Sequence, residues 1–205
     1  DRPWRGAKHA RVTIAWYGGF SCYYTRRSRD RLERILKAYP NDVRVVWMDY
    51  PSKHHTQGMQ AAVAAREVFK QKGNAGFWAF HKKLFNNPYR HTLANLLSWG
   101  AEVGADKALL RTVVVGRRHE AALKADREAA RKISVVLSPT LYINGRKWFD
   151  PRTYDYLKGV VDQELAEANR VIGTGGVTAK SYYDHIQRSA RAKKGSTGGY
   201  GSRWK

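Results

Sequence analysis

The chain has 205 residues, 42% hydrophobic and 12% aromatic, which suits one well-filled globular domain and argues against disorder. Its 38 Lys and Arg outnumber 17 Asp and Glu, a formal net charge of +21 that favours acidic partners such as nucleic acid, anionic lipid or acidic proteins over cationic ones. No stretch reaches the roughly 18–20 uncharged apolar residues of a membrane-spanning helix, and a single cysteine, Cys22, excludes an internal disulfide framework.

Residues 1–10 (DRPWRGAKHA) read as an extended leading segment. RVTIAWY (11–17) is β-branched and aromatic over a strand's length, and GGF punctuates it. From about Ser21 the pattern turns helical. Leu32, Ile35, Leu36 and Tyr39 fall at i, i+3, i+4 and i+7, with Pro40 just beyond. VRVVWMDY (43–50) is a second strand, so strand, helix and strand form a βαβ unit with parallel strands.

A helical middle covers 56–132, divided by Gly73–Asn74, Asn86–Asn87–Pro88 and Gly104. SVVLSPTLYING (134–145) is expected as a third strand interrupted at Ser138–Pro139, and NGRKWF as a hairpin turn into a short fourth strand. Residues 151–169 give a closing amphipathic helix. After Val171 the composition shifts: GTGG opens a linker, AKSYYDHIQRSARA suits one short helix, and KKGSTGGYGSRWK is basic and Gly/Ser-rich. Residues 171–205 hold seven Lys or Arg and one Asp, and read as a basic extension whose end is disordered.

Cys22 stands where the first strand gives way to the first helix. A lone cysteine is commonly a buried core residue. At a helix start, however, unpaired N–H groups and the macrodipole favour an anionic sulfur, and Arg26, Arg27 and Arg29 follow within two turns. Trp16, Tyr17, Phe20, Tyr23 and Tyr24 crowd this turn, and Tyr23 and Tyr24 serve either as an apolar rim for extended chains or as ordinary core. His54 and His55 are adjacent and point in different directions, and no Cys or carboxylate cluster completes a ligand set, so no metal is expected. His81 and Trp78 are most simply packing residues.

Three stretches carry a resemblance: VTIAWYGGFSCYYTRR, GFWAFHKKLF and SPTLYING, in that order over about residues 1–168. Together they resemble the DsbA-like thiol–disulfide oxidoreductases. The resemblance implies an α/β thioredoxin fold, a central mixed sheet flanked by helices, with an inserted helical domain. It divides the chain into a first thioredoxin part (1–55), the helical insertion (56–132), a second thioredoxin part (133–170) and the extension (171–205). It implies a cis Pro139 beside Cys22, with the Ser138 carbonyl and the Thr140 backbone N–H offered to an extended peptide.

Two departures bear on activity. The family's Cys-x-x-Cys reads Cys22-Tyr23-Tyr24-Thr25, and the strand before it, Ala15-Trp16-Tyr17-Gly18-Gly19, lacks the acidic residue many members carry. Thr25 can donate a hydrogen bond to a thiolate but cannot accept a disulfide. The expected chemistry is monothiol exchange or isomerisation on cysteine-containing protein or peptide substrates, resolved by a second substrate thiol, glutathione or a redox partner protein, with no cofactor. The alternative is a catalytically degenerate binding or scaffold module that uses the peptide groove or the basic surface. The expected compartment is the periplasm or another exported one, after loss of a signal peptide, with the cytoplasm as the alternative. The basic tail, with Tyr200 and Trp204, suits nucleic acid or another acidic partner.

Overall fold

The computed structural model describes residues 2–52, 54–149 and 153–195, with the side chains of 149 and 190–195 outside that description. In chain order the elements are β1 (Trp4–Gly6), β2 (Val12–Gly18), α1 (Tyr23–Ala38), β3 (Val43–Asp49), α2 (Thr56–Asn86), α3 (Leu93–Glu102), α4 (Lys107–Val115), α5 (Glu120–Lys132), β4 (Thr140–Ile143), β5 (Arg146–Phe149), α6 (Tyr154–Gly173) and α7 (Ala179–Gly195). The five strands form one mixed sheet in the order β1-β3-β2-β4-β5. β2 and β3 are parallel, as the βαβ pattern requires, and the other three pairings are antiparallel.

β2 lies at the centre with a neighbour on each side. It is buried on both faces along nearly its whole length, which is why its sequence shows no apolar–polar alternation. β3 does alternate: Val43, Val45 and Trp47 are buried, while Arg44, Val46 and Met48 are half-buried on the other face. The main core lies on the first face. Val12, Ile14 and Trp16 of β2 meet Leu32 and Ile35 of α1, Phe77, Phe80 and Phe85 of α2, and Leu157, Val160 and Val161 of α6. Trp16 meets Trp47 edge-on with centroids 4.9 Å apart, and the His81 ring lies 5.0 Å from Trp47 and 4.6 Å from Phe85.

On the opposite face Tyr17 and Tyr50 pack with Ala130 and Val135. Charge ties the elements together here. Asp126 of α5 accepts from Arg2 and Arg66, Arg66 Nε reaches Asp49 at 2.8 Å, and Trp47 Nε1 donates to the same Asp49 at 2.7 Å. Burial opposes charge on Asp126, but the hydrogen bonds from Arg2 and Arg66 and their positive charge outweigh it and hold the carboxyl below its ordinary range.

The structure adjusts three expectations and bears out a fourth. The leading segment contributes an edge strand, β1, because Trp4–Gly6 pair antiparallel with Arg44–Val46 of β3. The expected division at Gly73–Asn74 is present: α2 is two helical pieces that meet at a kink at Gly73 (φ 62°), a positive-φ conformation that glycine adopts without a Cβ penalty, and the Asn74 side chain accepts from the Trp4 N–H at 2.8 Å. The apolar run 134–139 does not form a strand. Ser134 turns left-handed (φ 66°), and the Ser134 and Val135 N–H groups close the last turn of α5 by bonding to Arg131 and Ala130, so the ladder begins only at Thr140.

The last correction concerns the C-terminal segment. α6 continues to Gly173, past the expected end at 169. The sequence from Ala179 forms α7, whose Tyr182 is buried and whose Tyr183 stacks against Arg44 of β3. These aromatic contacts dock part of the extension on the domain. The expected Gly/Ser-rich end, with Tyr200 and Trp204, lies outside the described residues. Among the described residues no helix is long and apolar enough to cross a membrane.

Candidate active site

β2 delivers the chain to Gly18 and Gly19, and α1 begins four residues later. Gly18 leaves no room for a side chain: a Cβ there would sit 2.4 Å from the Thr25 methyl and 2.9 Å from the Trp47 ring. This close approach lets the first turn of α1 settle on the end of the sheet. Cys22 is the N-cap, extended at φ −89° and ψ 118°, with its N–H bonded to the Gly19 carbonyl at 3.0 Å. Its side chain does not cap the helix. Sγ points instead to the Ser138 carbonyl oxygen, which accepts from the thiol at 3.3 Å across 116 residues of sequence. Cys22 is half-buried, and the Ser138–Pro139 peptide bond beside it is cis.

Around the sulfur the aromatic residues divide. Trp16 and Phe20 are core, and Tyr17 belongs to the opposite face. Tyr23 and Tyr24 are 44% and 63% exposed and meet edge-on. Val136 and Leu137, on the loop before Pro139, are 58% and 62% exposed, so two apolar pairs flank Cys22. The Val136–Leu137 half escapes sequence reading because a β-branched apolar run resembles a buried strand. The run of exposed apolar residues ending at a Ser-Pro pair was the available signal.

Two expected site residues take different roles. Thr140 is inside β4, paired with Tyr17 on one side and Phe149 on the other, so its N–H faces a strand and not an incoming peptide. Its hydroxyl donates to the Leu137 carbonyl at 2.7 Å and braces the loop. The N–H groups of Val136, Leu137 and Ser138, by contrast, have no backbone partner among the described residues. Thr25 is fully buried, and its hydroxyl has no partner and does not reach Sγ. A valine at position 25 should therefore stabilise the fold by about 1 kcal/mol in urea unfolding, because it keeps the shape and removes an orphaned hydroxyl. A loss of stability instead would show that the hydroxyl is bonded in solution.

Elsewhere, His54 and His55 are exposed near the start of α2. Among the described residues no three His, Cys, Asp or Glu side chains gather in a group able to hold a metal ion.

A family model described as thioredoxin matches residues 1–163. The chain belongs to the thioredoxin family. Within it, the structure is similar to the crystal structure of oxidised BdbD from Bacillus subtilis, with a TM-score of 0.74, 23% identity and coverage of 80% of this chain and 93% of that one. It is also similar to a periplasmic thioredoxin-like protein from Salmonella enterica serovar Typhimurium, with a TM-score of 0.68, 25% identity and coverage of 80% and 90%. The same fold is found in the thiol-disulfide exchange protein alpha-DsbA2 from Wolbachia pipientis, with a TM-score of 0.67, 16% identity and coverage of 79% and 86%. In sequence it is 29% identical over 164 residues to a Na(+)/H(+) antiporter NhaA 3 of Salinispora tropica, which covers 80% of this chain and 25% of the antiporter. The chain thus spans about a quarter of the length of the curated antiporter relatives it matches.

Proposed function

We propose that this chain exchanges disulfides through one thiol, Cys22, on extended cysteine-containing polypeptides in an exported compartment, where protein disulfides persist. The observation that carries this is the placement of Cys22: half-buried at the start of α1, with Sγ against the Ser138 carbonyl, between two exposed apolar pairs. The unpaired N–H groups of Val136–Ser138 suit pairing with a peptide strand, and Tyr23, Tyr24, Val136 and Leu137 suit its apolar side chains.

The Cys22 thiolate attacks one sulfur of a substrate disulfide. The substrate S–S bond breaks, an S–S bond to Cys22 forms, and the other substrate sulfur leaves as thiolate and takes a proton from solvent. Nothing is oxidised or reduced overall. Thr25 supplies no second sulfur, so the mixed disulfide ends only when an outside thiol attacks it: the freed substrate cysteine, which gives isomerisation, or glutathione or a partner protein's cysteine.

Incubating the native protein with a peptide disulfide should add one peptide mass per chain, reversibly with added thiol and not at all in Cys22→Ser. A native thiol that reacts only after unfolding would overturn the proposal. Peptide binding that survives Cys22→Ser, without adduct in the parent protein, would favour a binding module.

A further inference from the structure

α1 opens with no acidic residue in its first turn and carries Arg26, Arg27 and Arg29 just beyond it. Cations near the positive end of a helix gain nothing from the macrodipole, so the fold does not account for them. Arg29 is engaged: Nη1 donates to Asn86 Oδ1 at 2.8 Å and Nε to Asp30 Oδ1 at 3.1 Å. Arg26 and Arg27 meet no carboxylate among the described residues. Their guanidinium groups lie 5.5 and 5.8 Å from the centre of the exposed Tyr23 ring, and Arg27 also donates to the Tyr23 hydroxyl at 3.4 Å. Between the three arginines and the end of α2 is an open recess of about 280 Å³, walled by Asp30 and Asn86 and floored by Phe85.

The recess is on the same stripe as the sulfur. Cys22, Arg26 and Arg29 are spaced i, i+4 and i+7, which places the two arginines about 6 and 10 Å from Cys22 along the helix axis. An extended chain advances about 3.3 Å per residue. Carboxylates about two to four residues from a reacting cysteine therefore come within reach of Arg26, and of Arg27, which is off the stripe but whose side chain lines the same recess. Arginine is suited to this contact, since its planar fork accepts a carboxylate through two parallel hydrogen bonds.

We propose that the partners of Cys22 are acidic: cysteines flanked within about two to four residues by Asp or Glu, whose carboxylates seat on Arg26 and Arg27 while the sulfur meets Cys22. This rests on the reading of Cys22 as an exchanging thiol. It adds substrate selection to that reading. A nucleic acid would satisfy the charge alone, but it would use neither the thiol nor the apolar rim beside it.

The test compares two peptide disulfides, identical except for Glu or Lys about two to four residues from the cysteine, with the neutral probe 2,2′-dithiodipyridine, each followed by its rate of mixed-disulfide formation. At about 0.01 M salt, where the Debye length is about 30 Å, the Glu peptide should react at least about tenfold faster than the Lys peptide, and the ratio should shrink with added salt. In R26A/R27A, and in R26Q/R27Q as a milder second pair, the Glu-to-Lys ratio should fall toward one. In K107A/R111A, an equal charge change on α4, it should not.

A ratio near one in the parent protein, with the neutral probe still reacting, overturns acidic selection and leaves exchange through Cys22 standing. An equal fall in the α4 variant assigns the selection to net charge and overturns the role of Arg26 and Arg27. No reaction with the neutral probe overturns both readings.

Discussion

Thr25→Cys should turn a protein that holds its mixed disulfide into one that expels it. In the parent chain a peptide attached to Cys22 stays until an external thiol arrives. With sulfur at position 25, the new thiolate attacks Cys22 Sγ and the peptide leaves as a thiolate. An internal disulfide between Cys22 and the introduced sulfur forms, so the peptide is reduced and the protein oxidised. The geometry permits this, because residues three apart at a helix start fall within the roughly 4.4–6.8 Å Cα separation that a disulfide spans. Well-oriented intramolecular groups reach effective molarities on the order of 10⁵ M, so even a poorly aligned pair outruns millimolar external thiol.

Position 25 is fully buried and tolerates a side chain of this size: sulfur replaces an unpartnered hydroxyl, and the lost methyl is the one pressed against Gly18. The lifetime of the mixed disulfide should fall at least about a hundredfold, with Thr25→Ser keeping the parent's lifetime. Mass spectrometry of the quenched reaction checks it. Persistence of the peptide adduct in Thr25→Cys, with no internal disulfide on mild oxidation, would show that position 25 does not face Cys22 as the fold requires.

The second large effect concerns His81 and acid. Its ring is wholly buried among Trp16, Phe20, Trp47, Phe77, Trp78 and Phe85, and Nε2 has no partner. Burial pushes the imidazole well below its ordinary range, and the positive charges of Arg5 and Arg29 push the same way. The folded protein keeps His81 neutral, while the unfolded chain takes a proton near pH 6.5. The unfolded state therefore binds more protons below that pH, and the stability that the neutral ring contributes, complete above about pH 6.5, is lost as pH falls.

The slope approaches about 1.4 kcal/mol per pH unit, so His81 alone should cost about 2 kcal/mol between pH 7 and pH 5. His91 is also held low by burial, against the opposing hydrogen bond with the Leu84 carbonyl, and adds to the slope in the same direction. The difference between parent and His81→Phe isolates the larger contribution. Urea unfolding at both pH values should show the variant losing about 2 kcal/mol less than the parent. Parallel curves would mean that the ring is hydrated or partnered in solution.

Several parts of this molecule follow from neighbouring residues alone. The RVTIAWY run makes a central strand, since β-branched and aromatic residues with no alternation suit burial on both faces. The i, i+3, i+4, i+7 spacing of Leu32, Ile35, Leu36 and Tyr39 sets the buried stripe of α1. Asn144–Gly145 makes the hairpin turn because both residues accept positive φ, here 46° and 81°. The absence of a second sulfur at Thr25, which limits the chemistry to one thiol, is also plain in the sequence.

Other features were decided by contacts between distant residues. The 134–139 run has strand composition, but its first residues close α5, and its exposed Val136 and Leu137 flank Cys22. Asn144 looks like turn chemistry only, yet its side chain also accepts from Thr13 N–H at 2.9 Å and donates to the Arg11 carbonyl at 3.1 Å, pinning the hairpin to β2. Tyr182 sits in a basic, Gly-rich segment and is buried because α6 returns the chain to the domain. The partner of the sulfur, the Ser138 carbonyl, is a backbone atom that any residue type would offer. Local sequence thus determined which segments become helix and strand and which side chains can react, because periodicity and backbone preference act over a few residues. Tertiary structure decided what those side chains touch, because burial and hydrogen bonding join groups more than a hundred residues apart.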